Sequence, residues 1–289
     1  MKNAFTCTCR RDRSALPSVR DVARSGAASA AQAFDAIAAD FDARFIPWRS
    51  VQAQRRAVRR ALTEAFPEGA RLIEVGGGTG EDALWLAEQG RQVLLTDASP
   101  SMVAAASAKC GDRVRTAIAA AEDFDDLADL LAGEPLFDGA YSVFAALNCV
   151  SDLTGFAQAL ARLLRPEAPL LLVLFGTCCP GEMIVETLRG RPRSALRRFR
   201  RGDIPAKLGG REFTVRYHRA RDLARMMSPW FHLESRKGIG VFVPPSAAEP
   251  WISSHPRLLG ALEALDRLAT SPLAALGDHV LYRFLRSQA

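Results

Sequence analysis

The sequence predicts an α/β protein built on a doubly wound, mostly parallel sheet with helices on both faces. Three observations predict it. Short apolar runs alternate with amphipathic stretches from Arg71 to Phe175, as successive βαβ units require. The first run leads directly into Gly76-Gly77-Gly78-Thr79-Gly80, a sharp strand-to-helix turn. A length of 289 residues at 48% hydrophobic and 24% charged suffices for a buried core without disulfides or metals, and excludes bulk disorder and collagen-like sequence.

Taken in order, helical periodicity begins near Ala31, where Phe34, Ile37, Ala38 and Phe41 fall on one face. A second helix covers about Val51–Ala65 and ends at Pro67 and Gly69. Strands follow at Arg71–Val75 and Gln92–Thr96, separated by a helix over Asp82–Glu88 that stops at Gly90. Ser99 and Pro100 supply an N-cap and a first-turn proline for a helix to about Lys109. Val114–Ala119, Ala140–Ala146 and Pro169–Phe175 read as strands, with helices at Phe124–Leu131 and Leu153–Leu164 between them. The last of these strands is continuously apolar, the mark of burial on both faces.

After Gly176 the alternation breaks. Cys178–Gly210 reads as a basic helical segment, Glu212–Tyr217 as a short strand, Arg221–Met227 as a helix and Leu233–Val243 as a long strand containing Gly238 and Gly240. Pro244 to Gly277 forms a second insertion, helical over Leu258–Leu268, before a closing strand at His279–Leu285.

The net charge of +6 is uneven. The first 30 residues carry +4 and Glu186–Arg216 carries +7, which leaves the remainder at −5. The body is thus mildly acidic with two basic attachments. Residues 1–30 lack an apolar core for a secretory signal. Their composition resembles a transit peptide, but it pervades the chain, and a flexible basic tail is the expectation. No apolar stretch reaches membrane-spanning length. The six cysteines, Cys7, Cys9, Cys110, Cys149, Cys178 and Cys179, form no CxxC pair and no metal-ligand spacing with histidine. They read as reduced thiols of a cytoplasmic protein, with no metal expected.

The glycine loop lies where an open parallel sheet binds ligands, at the carboxyl end of a strand. A dinucleotide fingerprint needs glycine at the sixth place from Gly76, which is Glu81, a carboxylate that repels pyrophosphate. A phosphate loop needs a Gly-Lys pair, which is absent. With Glu74 just before the loop, the pattern suits a cofactor bearing cationic groups. Asp97, at the end of the second strand, can accept two hydrogen bonds from a ribose diol; a turn or cap role is its plain alternative.

Here the sequence resembles the class I S-adenosylmethionine-dependent methyltransferases. The likeness rests on Leu72-Ile73-Glu74-Val75-Gly76-Gly77-Gly78-Thr79-Gly80 and Leu95-Thr96-Asp97-Ala98-Ser99-Pro100-Ser101-Met102. It continues through Ala121-Glu122-Asp123-Phe124, Phe137-Asp138-Gly139-Ala140-Tyr141-Ser142 and Leu163-Leu164-Arg165-Pro166, in order, from about Phe34 to Phe175. The resemblance implies a seven-stranded, Rossmann-like sheet with helical cap insertions at about 177–211 and 244–278, in one domain over 31–289. It implies S-adenosylmethionine as cofactor. By the same resemblance Glu74 and the loop glycines Gly76, Gly77, Gly78 and Gly80 cradle its methionine and ribose part, and Asp97 holds the ribose hydroxyls. Met102 packs on the adenine, Glu122 and Asp123 lie at its edge, and Ala98 and Phe144 complete the set. Ala120 stands where many relatives carry an acid, which leaves the adenine amine to Asp123 or backbone groups.

Methyl transfer is an in-line displacement that gains from alignment and needs a base only for a late-leaving proton. Asn148 and His218 are the candidate catalytic residues, each with a plainer reading as a turn or cap residue. Phe34, Phe41, Asn148 and Trp251 are the candidate acceptor contacts; a core stripe accounts for Phe34 and Phe41 equally well. His279 reads as structural. The expected activity is methyl transfer to an oxygen or nitrogen of a small organic molecule, in a bacterial-looking enzyme of specialised metabolism. The alternatives are an RNA methyltransferase that uses the basic 189–211 segment, and a non-catalytic cofactor-binding subunit. The two insertions favour a small acceptor over nucleic acid, since they can close a concave apolar pocket. Oligomeric state leaves no trace in the sequence.

Overall fold

The computed structural model describes residues 27–269 and 271–288. The expected tail lies outside them as far as Gly26, together with Cys7 and Cys9. In chain order the elements begin with helices α1 (Ala27–Asp35), α2 (Phe41–Phe45) and α3 (Arg49–Ala65). The alternating core follows: β1 (Arg71–Val75), α4 (Glu81–Glu88), β2 (Gln92–Asp97), α5 (Pro100–Cys110), β3 (Val114–Ile118), α6 (Phe124–Leu130), β4 (Gly139–Ser142), α7 (Thr154–Leu163) and β5 (Pro169–Phe175). The remainder comprises α8 (Pro180–Leu188), α9 (Pro192–Ala195), β6 (Ile204–Leu208), β7 (Arg211–Val215), α10 (Ala220–Met227), β8 (Phe231–Ile239), α11 (Pro256–Ala269) and β9 (His279–Arg286).

Seven strands form one sheet in the order β3-β2-β1-β4-β5-β9-β8. The first five run parallel, and β9 pairs antiparallel with both β5 and β8. Alternate side chains serve opposite faces. Ile73 and Leu94 join the core under α6, α7 and α10, whereas Leu72, Val93 and Leu95 join the core under α3, α4 and α5. Both faces are therefore buried, which is why these strands read as unbroken apolar runs. Strand order reverses between β1 and β4, and the crevice at their carboxyl ends is the topological place for a ligand.

Several expected elements differ. The helix expected from Ala31 breaks after Asp35, resumes as a 3-10 turn at Ala38–Asp40 and then as α2; Phe34, Ile37, Ala38 and Phe41 still gather on Met102. The strand expected over Ala140–Ala146 stops at Ser142, because Phe144 and Ala145 take left-handed φ values of 53° and 69°. The strand expected over Leu233–Val243 spans Phe231–Ile239 and ends at Gly240, whose φ is +68°. The basic segment is helical only in its first half. Its second half enters the β6–β7 hairpin, turned by Gly209 and Gly210 at φ +57° and +80°, the two positive values that a tight hairpin turn demands. Among the described residues no helix is long and apolar enough to cross a membrane.

Candidate active site

The glycine loop leaves β1 by a turn that only glycine tolerates. Gly76, Gly78 and Gly80 have φ values of +70°, +55° and +80°. The amides of Gly76 and Gly77 both donate to the Thr96 carbonyl, at 2.8 and 3.0 Å, so β2 holds the loop mouth open. A Cβ on Gly76 would lie 2.3 Å from that of Ala146; the segment after β4 thus presses directly on the loop.

Asp97 closes the other side. Its Oδ2 accepts from the Gly78 amide at 2.9 Å and its Oδ1 from the Ser99 amide at 2.8 Å. The turn role leaves capacity for a ligand, since each carboxylate oxygen can accept more than one hydrogen bond. Burial pushes Asp97 above the usual carboxylate range, against the pull of those two amides. Glu74 lies deeper, 1% exposed. Burial, then the neighbouring carboxylate of Asp82, pushes it well above its ordinary value. Its buried Oε2 meets no hydrogen-bond partner of good geometry, an arrangement that a cationic ligand would relieve.

The N-terminal segment forms a lid over this loop. Thr79 Oγ1 donates to Asp42 Oδ1 at 2.6 Å, and Lys109 Nζ sits 2.5 Å from Asp42 Oδ2. Asp35 Oδ1 accepts from Ser99 Oγ at 2.5 Å and from the Ser101 amide at 3.0 Å. Two carboxylates thus fasten the helices before the sheet to the loop and to the start of α5. On the far side the ring of Phe34 meets that of Phe213 on β7, with centroids 6.1 Å apart.

Beneath the lid is a cavity of about 310 Å³. Of the expected cofactor residues, Glu74, Gly76, Gly77, Gly78, Asp97, Ala98, Met102, Glu122 and Phe144 line it, as do the expected acceptor contacts Phe34 and Phe41. Gly80 and Asp123 stand outside the lining. Gly80 is the left-handed cap of α4, and Asp123 the cap of α6.

The candidate catalytic pair is placed differently. Asn148 is fully buried and does not line the cavity. Its Nδ2 donates to the Arg216 carbonyl at 2.6 Å and its Oδ1 accepts from the Phe175 amide at 2.9 Å. Both ends of the amide are occupied by backbone, so it ties β5 to the segment after β7 rather than meeting a substrate. His218 is 3% exposed, with Nε2 2.9 Å from the Val150 carbonyl, and also lies off the cavity. Burial pushes its pKa down, leaving a neutral ring in a structural contact. Trp251 is 56% exposed and packs on His255, away from the cavity.

His279 is a core histidine, as expected. It stacks on Phe175 with centroids 4.9 Å apart, and its Nδ1 lies 3.0 Å from Gln54 Oε1. Gln54 Nε2 donates to Asp278 at 3.1 Å, and Asp278 in turn takes Arg198 at 2.6 Å. Arg198 also pairs with Glu182, and Arg197 donates to Glu182 at 2.8 Å.

The lining contains residues that the sequence did not single out: Phe45, Arg55, Cys149, Phe175 and Phe213. Arg55 stands over the Phe144 ring at 5.1 Å and 3.4 Å from Asp82. Nothing in the Arg-rich α3 distinguishes it from its neighbours. Burial pushes the Cys149 thiol up to about 12, so it faces the cavity uncharged. Among the described residues, no cluster of histidine, cysteine and carboxylate side chains could hold a metal ion.

Residues 72–167 match the family described as a methyltransferase domain. A tRNA 5-carboxymethoxyuridine methyltransferase of Escherichia coli is 33% identical over 121 residues, 40% of this chain and 44% of that protein. A malonyl-[acyl-carrier protein] O-methyltransferase of Geobacter sulfurreducens is 30% identical over 193 residues, 64% of this chain and 62% of that protein. The matches thus span about half the length of these curated relatives. Among solved structures, DhpI in complex with S-adenosylhomocysteine superposes with a TM-score of 0.58 at 14% identity, over 92% of this chain and 100% of that one, a likeness of fold. Residues 72–167 thus match a methyltransferase domain, and they carry the glycine loop and most of the parallel sheet described above.

Proposed function

We propose that the protein transfers a methyl group from S-adenosylmethionine to an oxygen or nitrogen of a small organic molecule. The observation that carries this reading is the cavity of about 310 Å³, continuous with the glycine loop and walled by Phe34, Phe41, Phe45, Phe175 and Phe213. The cofactor takes the part beside the glycine loop, and the aromatic walls offer the remainder to a compact, partly apolar acceptor.

S-adenosylmethionine, when bound, supplies an electrophilic methyl group on a sulfonium. The residues present fit it. The backbone of Gly76–Gly78 lies open, Asp97 retains acceptor capacity for a ribose diol, and Met102 offers an apolar surface for a base. Glu74 and Glu122 place acids where the cofactor is cationic or presents donors. The protein's own part is to align the two reactants, exclude water under the aromatic lid and hold the loop rigid. No imidazole lines the cavity, and Cys149 stays protonated. An acceptor already unprotonated at neutral pH, such as a carboxylate, therefore suits this site, because no base is needed. The two curated relatives bear in their names a carboxymethoxyuridine of tRNA and a malonyl group on an acyl-carrier protein, and Arg55, which shares its charge with Glu81 and Asp82, is a cation at the cavity wall.

The RNA reading draws on the tRNA-modifying relative and on the basic segment. Against it, Arg197 and Arg198 are both committed to Glu182, and Arg216 pairs with Asp203 at 2.8 Å. These pairs withdraw three arginines from such a role, whereas Arg191, Arg193, Arg200, Arg201, Lys207 and Arg211 make no ion pair among the described residues. The test is transfer of labelled methyl from S-adenosylmethionine to a panel of small carboxylates, phenols and amines, beside unmodified RNA. Labelled small acceptors support the proposal, and label confined to RNA overturns it.

A further inference from the structure

A second cavity, of about 280 Å³, lies behind the first. Arg198 stands over the rings of Phe175 and Tyr217, at 5.3 and 5.7 Å. Phe175 lines the cofactor cavity and Arg198 lines the second one, so the two are separated by about one layer of side chains. The second cavity is lined also by Thr177, Phe199, Arg219, Arg236 and Tyr282, and none of its lining residues is acidic.

Two of its three arginines are donors without partners among the described residues. Arg219 and Arg236 are exposed and make no ion pair or hydrogen bond among the described residues. The nearby acids are engaged elsewhere: Glu182 and Asp278 with Arg198, Glu234 with Arg283, Asp222 with Arg225. Tyr282 is 4% exposed and lines the cavity, and its hydroxyl makes no hydrogen bond among the described residues. Arg236 stands directly opposite Tyr282 across the β8–β9 ladder, so guanidinium and phenol project from the same face of the sheet. Burial pushes the Tyr282 phenol up to about 12, which keeps it a donor at neutral pH. On the rim, Phe199 is 47% exposed and offers an apolar platform.

We propose that this cavity is a binding site for a phosphate group, held by Arg219, Arg236 and the Tyr282 hydroxyl. Guanidinium forks and a phenolic donor match the several acceptor oxygens and double charge of phosphate. The recess suits a compact dianion rather than an extended strand. The phosphate has two possible sources, free inorganic phosphate or a phosphorylated small molecule, for which Phe199 would contact the organic part. The site does not depend on the methyl-transfer reading, because binding is measured without cofactor or acceptor.

The test is calorimetric titration of the whole protein with inorganic phosphate and with phenyl phosphate, at ionic strength fixed with sodium chloride. Saturable binding of either is expected. It should weaken at least tenfold in the Arg219→Gln/Arg236→Gln double variant, whose changes are at the surface, and at least threefold in Tyr282→Phe, which removes one oxygen. Tighter binding of phenyl phosphate assigns the site to an organic phosphate, and equal binding to the free ion. Absence of saturable binding, or affinities unchanged in these variants, overturns the proposal. So does a short single-stranded RNA that binds a hundredfold tighter than either probe and is indifferent to Tyr282→Phe, since the surface would then belong to nucleic acid.

Discussion

Replacing Asp97 tests the centre of the site. In the Asp97→Ala variant the amides of Gly78 and Ser99 lose acceptors at 2.9 and 2.8 Å, and a ribose diol loses the carboxylate expected to hold it. Hydrogen bonds to a charged group contribute about 1.5–3 kcal/mol each. Two of them at the lower bound give about 3 kcal/mol, roughly a hundredfold in Kd, with tenfold as the floor. The assay is calorimetric titration with S-adenosylhomocysteine at pH 8, beside a thermal melt of the ligand-free protein. Asp97→Asn should fall between, since its one oxygen can accept from either Gly78 or Ser99 while its NH2 faces the other amide donor. The pH dependence has a definite sign. Burial raises Asp97 above its ordinary value of 3.8, and the ionised form is the acceptor. Affinity should therefore fall as pH drops through that raised value, earlier than for an exposed aspartate. An Asp97→Ala protein that is folded and binds within threefold of wild type would reduce Asp97 to a turn residue and remove it from the site.

Other variants separate binding from folding. Gly76→Ala places a Cβ 2.3 Å from that of Ala146 at a φ of +70°; strain of about 1–3 kcal/mol should lower the melting temperature and abolish cofactor binding, and an unchanged melt would refute the close approach. Glu74→Gln removes a buried acid whose raised pKa makes its ionised form costly above that pKa; the variant should gain melting temperature relative to wild type as pH rises, lose that gain toward the ordinary value of 4.5, and bind S-adenosylmethionine at least tenfold more weakly. Asn148→Ala leaves the Arg216 carbonyl and Phe175 amide unpaired, at about 1–3 kcal/mol each; a lower melting temperature is expected, and a loss of turnover with an unchanged melt would restore Asn148 to catalysis. Asp42→Ala releases Thr79 and Lys109; stopped-flow should show S-adenosylhomocysteine leaving several-fold faster, and an unaltered rate would mean the lid is held by its aromatic contacts alone.

The sheet and the loop were legible because their signals are local. Alternating glycines at 76, 78 and 80 next to an apolar run specify a turn whatever the rest of the chain does. Asp97 was legible by its distance from that turn. The lid aromatics Phe34 and Phe41 were visible as a helical stripe, although the break after Asp35 was not. The roles of Asn148 and His218 were hidden because their partners lie far along the chain: the Asn148 side chain bonds residues 27 and 68 positions away, and His218 one 68 away. A polar residue after the fourth strand looks the same whether it faces substrate or backbone. The β6–β7 hairpin did carry a signal, Gly209-Gly210 between two short runs, but Pro205 and the surrounding arginines masked it. Trp251 shows the limit of residue type as a guide, being large, aromatic and on the surface.

The touching rings of Phe34 and Phe213 join the first described helix to a hairpin nearly 180 positions later. One clasp thus closes over the cavity from two distant parts of the chain. Trimming either ring should therefore quicken the departure of bound S-adenosylhomocysteine.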